Sequence, residues 1–148
     1  MNWQHCKARP RVVCLCGSTR FMDEFFRSGW KETLAGNIVL SVGVVVRDQM
    51  PAAMLANGEE AHVGEAVGAK DMLDELHFRK IDLADEILVL NVDGYVGSST
   101  QREIAYAIAT KKPVRFLIPE SGEALLFRRS HLIGMQVASF ANGEIPDA

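Results

Sequence analysis

Two rhythms of apolar positions alternate along this chain. Val12-Val13-Cys14-Leu15-Cys16 is an unbroken apolar run that stops at Gly17, so residues 11–16 predict a short, fully buried strand. Similar runs predict strands at 37–46, with Gly43 as a bend or bulge, at 86–92 and at 114–118, and a last one around 133–140. Between them the spacing becomes helical. Residues 20–35 predict a helix whose apolar surface comes from Phe21, Phe25, Trp30 and Leu34, with Gly36 as its stop. Residues 69–84 predict a second helix with Leu73, Leu76 and Leu83 in its stripe. Residues 99–111 predict a third, apolar at Ile104, Ala105, Ala107 and Ile108; Lys111 and Lys112 suit its negative end and Pro113 closes it. A further helix is expected around 121–129. The stretch 47–68 holds Pro51, three glycines and many alanines, and reads as a long loop with room for a short helix.

Strands that are apolar throughout, alternating with helices, call for a parallel sheet covered on both faces. Right-handed crossovers then give a small α/β fold, a Rossmann-like doubly wound parallel sheet of four to five strands. Such folds bind ligands beyond the carboxyl ends of the strands, where the strand order reverses. Two loops qualify: 17–20 after the first strand and 93–103 after the strand at 86–92.

The composition narrows the partners. With 148 residues the chain has room for one domain, read as 11–148 behind a loose lead-in at 1–10. A net charge of −3 gives no electrostatic case for a nucleic-acid polymer. No apolar run reaches the length of a membrane span and no secretory signal is present, so no membrane partner is expected. The three cysteines, Cys6, Cys14 and Cys16, form no paired framework, which favours the reducing cytoplasm. Cys14-x-Cys16 has no second pair at finger spacing, and neither a metal nor a cofactor is expected.

Gly17, Ser18, Thr19 and Arg20 combine a residue that lets the backbone turn sharply, two hydroxyls and a guanidinium at the start of a helix. Helix capping explains the hydroxyls. It does not explain Arg20, because a cation is disfavoured at a helix N-terminus unless an anion is bound there. The lysine and spacing of a Walker A loop are absent. Gly97, Ser98, Ser99 and Thr100 form a second hydroxyl-rich helix start. Glu103 follows, and two readings stand for it: partner of Thr100 in a capping box, or a reactive carboxylate.

"CGSTRF", "DLADEILVLN" and "GSSTQREIAYAIATKKPV", in this order across residues 11–118, resemble the nucleoside 2-deoxyribosyltransferase-like superfamily, which includes the deoxynucleoside 5′-monophosphate N-glycosidases. The resemblance implies a flavodoxin-like sheet. It also implies that Glu103, in the Glu-x-x-x-Ala helix, attacks the anomeric carbon of deoxyribose or holds its positive charge. The surrounding pattern departs from the family's. Cys14 stands where the family often has tyrosine, and His77 where the glycosidase branch has aspartate, with Asp82 further along the same helix. Asp93 resembles the acidic residue that some transferases use on the base. His77 and Asp82 are catalytic candidates, His77 as an acid or phosphate donor near neutral pH; the plainer readings are a half-buried helix histidine and, for Asp82, a surface ion-pair set with Arg79 and Glu75. Tyr95 is placed to stack on a base.

The expected activity is therefore cleavage of an N-glycosidic bond in a deoxynucleoside or its 5′-monophosphate, by transfer or by hydrolysis. Two other readings are a nucleotide-binding sensor without turnover and an NAD-cleaving glycohydrolase. The partner is a small nucleoside or nucleotide. The resemblance, with Met50, Met54, Leu55 and Val63 in the loop, also points to a homodimer or homotetramer built through the helix at 69–84 and the segment before it.

Overall fold

The computed structural model describes residues 8–43 and 70–120. Four strands, β1 (Val12–Cys16), β2 (Ile38–Leu40), β3 (Glu86–Val89) and β4 (Val114–Phe116), alternate with three helices, α1 (Met22–Leu34), α2 (Lys70–Leu83) and α3 (Ser98–Ala109). The sheet order is β2-β1-β3-β4, and every neighbouring pair is parallel. The doubly wound α/β expectation is met. The order reverses at β1, so the crevice between the carboxyl ends of β1 and β3 is the switch point.

Strand alternation decides what lies on each face. Val13, Leu15, Leu88 and Leu90 pack with Phe25 of α1. Val12, Cys14, Cys16, Ile87 and Val89 face the other way, towards Phe78 and Ile81 of α2 and Ile104, Ala105 and Ala107 of α3. On the first face Arg115 ties α1 to the sheet, donating from Nη1 to Glu32 Oε1 at 2.7 Å and from Nη2 to Glu86 Oε1 at 2.9 Å.

The helix spans agree with the sequence reading, but two of its apolar stripes point elsewhere. On α1 the buried positions are Phe25, Ser28 and Glu32, whereas Trp30 is 64% exposed and Leu34 51%. On α2 they are His77, Phe78 and Ile81; Leu73, Leu76 and Leu83 are exposed, Leu83 at 71%. The cause is rotation. Each helix turns about 100° per residue, so a stripe displaced by one position leaves the sheet. Polar residues occupy part of the inward face instead. The expected strand at 37–46 is seen as Ile38–Leu40, and its last three residues lie outside the described residues. So do most of the lead-in, the loop at 47–68, the helix at 121–129 and the strand at 133–140. No helix among the described residues is long and apolar enough to cross a membrane.

Candidate functional site

β1 delivers two side chains to the face shared with α2 and α3. Cys14 and Cys16 are two residues apart on a strand, hence on the same side, and both are fully buried. Opposite them, α2 presents His77 and α3 presents Glu103. The His77 Nε2 atom lies 3.5 Å from Cys16 Sγ, 3.8 Å from Cys14 Sγ and 3.8 Å from Glu103 Oε1. One imidazole nitrogen is thus surrounded by two sulfurs and a carboxylate, all drawn from distant parts of the sequence. Among the described residues, the other carboxylate oxygen, Glu103 Oε2, is buried without a hydrogen-bond partner, as is Arg102 Nε beside it in sequence. Buried polar atoms are nearly always paired, and each exception calls for an explanation.

The electrostatics follow from burial and crowding. Burial pushes the Glu103 carboxyl up to about 7, against the favourable charge of His77. Burial also opposes a charge on His77, yet the Glu103 carboxylate and the Cys14 thiol outweigh it, and the imidazole titrates above its ordinary value. The hydrogen bond from Cys16 pulls Cys14 down to about 5, with help from His77. Burial, then the hydrogen bond with Cys14, then the charge of Glu103 push Cys16 up. The two adjacent thiols therefore titrate together rather than independently.

The capping-box reading of Glu103 does not survive. α3 begins at Ser98 with Gly97 as its N-cap and no side-chain cap. Thr100 and Glu103 are therefore the third and sixth helical residues, too far in for an N-cap and its partner. Thr100 is buried, and Glu103 is turned to His77. The loop after β1 also differs from expectation. Ser18 caps a single 3₁₀ turn, Thr19–Phe21, accepting from the Arg20 N–H at 3.4 Å, and α1 starts only at Met22. Gly17 is required by space: a Cβ there would stand 3.1 Å from Leu90 Cβ, where β1 leaves the sheet beside β3.

Tyr95 joins the two loops. The Arg20 guanidinium sits over its ring, 4.3 Å from the centroid, and Phe21 meets it edge-on at 5.8 Å. Gly97 lies under the same ring, where a Cβ would come within 3.3 Å of the tyrosine oxygen. The hydroxyl-rich stretches at 17–20 and 97–100 are therefore neighbours at one end of the sheet. The rim is completed by Asn91, buried, which donates from Nδ2 to the Ile118 carbonyl and accepts from its N–H, both at 2.9 Å.

Of the expected site residues, His77 and Glu103 are brought together. Asp93 is exposed on the turn Val92–Gly94 after β3, with a left-handed φ of 52°, and has no part in the buried cluster. Asp82 stands apart: it accepts from the Tyr106 hydroxyl at 2.6 Å and pairs with Arg79 at 3.0 Å, in the last turn of α2. The ion-pair reading holds for it, extended by a buried tyrosine. Sequence reading gave no site role to Cys14, Cys16, Arg102 or Asp74; Asp74 pairs with Lys70 at 2.8 Å and with Arg102 at 3.4 Å. The two cysteines carried a usable signal, since alternate residues of a strand share a face. Cys14, Cys16 and His77 place their donor atoms within 4.8 Å of one another, a spacing compatible with a shared metal ion.

No family model, curated protein or solved structure matches the chain.

Glu103 ties stability to pH. Its carboxyl titrates near 7 in the folded chain against 4.5 without the fold. The fold favours the protonated form, so this contribution is complete below pH 4.5 and is lost as the pH rises through 7. Glu103→Gln keeps the neutral shape at every pH. In urea denaturation of chelator-treated protein the variant should match the wild type at acid pH and exceed it by on the order of 2–3 kcal/mol at pH 8. Parallel curves for the two proteins would show that Glu103 is not held protonated by burial.

Proposed function

We propose that the chain is an enzyme of the N-glycosidic bond, acting on a deoxynucleoside or its 5′-monophosphate with Glu103 at the sugar. The observation that carries this reading is the Glu103 carboxylate, buried with one oxygen unpartnered among the described residues, next to His77 and the end of β1. A carboxylate already bonded on both oxygens has little left to offer an electrophile; this one does not. The resemblance of 11–118 to the deoxyribosyltransferase-like pattern supports the same role for the same residue.

In the proposed reaction a Glu103 oxygen approaches C1 of the sugar as the bond to the base lengthens. The pair of electrons in the C1–N bond leaves with the base, which takes up a proton, and positive charge on C1 is met by the carboxylate as charge stabiliser or as a covalent ester. Water, or a second base, then bonds to C1 and loses a proton, and the carboxylate is restored. His77, beside Oε1, restrains the carboxylate as a positioning residue. Asp93 and Tyr95, exposed on the loop after β3, are available to the base. The stretches at 17–20 and 97–100, joined through Tyr95, are available to a 5′-phosphate, which would anchor the substrate away from the reacting bond.

The test is incubation with a panel of deoxynucleosides and their monophosphates, read by chromatography for free base. The wild type should release base from at least one of them, and Glu103→Gln should lower that turnover by at least about 10²–10³-fold. A folded wild type that releases no base, or a Glu103→Gln variant of undiminished turnover, contradicts the reading.

The working form is proposed to be a cytoplasmic homodimer or homotetramer assembled through α2. Met72, Leu76 and Leu83 are exposed on that helix, and removing them from water would favour association. Light scattering should give at least twice the mass of one chain; a one-chain mass over a wide concentration range refutes it.

A further inference from the structure

The thiols of Cys14 and Cys16 are not needed by the glycosidic reaction, yet both are fully buried beside a histidine and a carboxylate. Two apolar side chains would fill the same face without crowding a histidine and a carboxylate. Cys14, Cys16 and His77 have instead the composition and spacing of three metal ligands, their donor atoms lying within 4.8 Å of one another. In a tetrahedral zinc site, metal–ligand lengths of about 2.3 Å to sulfur and about 2.0–2.1 Å to nitrogen put sulfur and nitrogen about 3.6 Å apart. Here the two Sγ–Nε2 separations are 3.5 and 3.8 Å, and the Nε2–Oε1 separation is 3.8 Å. Cys14, Cys16 and His77 are all nine-tenths or more buried.

A second, independent observation points the same way. Glu103 Oε2 is buried and has no hydrogen-bond partner among the described residues. A cation held by the two sulfurs and Nε2 would place positive charge beside that carboxylate. Two thiolates with an imidazole are soft to borderline donors, which select zinc over magnesium or calcium.

We propose that Cys14, Cys16 and His77 form a binding site for a thiophilic divalent cation, zinc being the natural occupant, with the Glu103 carboxylate beside it. Both sulfurs bind as thiolates, so any thiol proton still present leaves to solvent on binding.

The experiment uses the full chain in a Cys6→Ser background, so that Cys14 and Cys16 are its only cysteines. The reduced, chelator-treated protein is titrated with Co²⁺ and then with Zn²⁺. One Co²⁺ per chain is expected, with the intense visible bands of a tetrahedral site and a thiolate-to-cobalt charge-transfer band in the near ultraviolet, both removed by one equivalent of Zn²⁺. Cys14→Ser, Cys16→Ser and His77→Ala should each weaken binding by more than about 100-fold, beyond the effect of a merely supporting contact. Should a variant fail to fold, thiol titration of the parent decides: Zn²⁺ should protect both thiols from a disulfide reagent. A weak octahedral cobalt spectrum without charge transfer, or thiols that react equally with and without Zn²⁺, overturns the proposal. The two readings fail separately. A tetrahedral cobalt site with no base released from the panel removes the glycosidase and leaves the metal site. Turnover without cobalt bands removes the metal site and leaves the glycosidase.

Discussion

The contact between His77 Nε2, the two sulfurs of β1 and the Glu103 carboxylate is the constraint around which one whole face of the sheet is arranged. It is an expensive contact. Four groups able to ionise share a region where burial penalises charge, and one carboxylate oxygen there has no partner among the described residues. A core selected only for stability would put valine or leucine at these positions, as the opposite face of the same strand does at Val13 and Leu15. The apolar residues nearest the cluster compensate. Phe78 and Ile81 follow His77 on α2, and Ile104, Ala105 and Ala107 follow Glu103 on α3, so each helix reaches the sheet with a polar residue next to an apolar anchor.

The surrounding polar network keeps those helices in place. Tyr106, one turn after Glu103, gives its hydroxyl proton to Asp82 and receives a hydrogen bond from Arg79 at 3.2 Å, so α2 and α3 are fastened just beyond the cluster. Asn91 fastens the chain after β3 to the chain after β4. Gly17 allows β1 to leave the sheet close beside Leu90. At the crevice between β1 and β3, Arg20, Phe21 and Tyr95 form their own stack.

Much of this architecture was legible in the sequence. Unbroken apolar runs at Val12–Cys16 and 87–90 and the turn residues around them identify parallel strands, because a strand covered on both faces has no polar alternation. Helix facing was less legible. Leucines at 73, 76 and 83 outweigh His77 in any hydrophobic pattern, although His77 is the residue turned inward. The reason is chemical: a histidine is buried when partners await it, and those partners lie 61 and 63 residues away in β1. Periodicity carries no information about such a pairing. The role of Glu103 was ambiguous for a related reason, since the capping box and the buried carboxylate differ only in where the helix begins, and Gly97 decides it.

The central claim is that these groups act as one coupled unit and are not four separately tolerated polar residues. A double-mutant cycle between His77→Gln and Glu103→Gln, read by urea denaturation at neutral pH in chelator-treated protein, tests it directly. The account predicts a coupling energy on the order of 1–3 kcal/mol, as for residues in one buried network. Effects that add to within about 0.5 kcal/mol would contradict it.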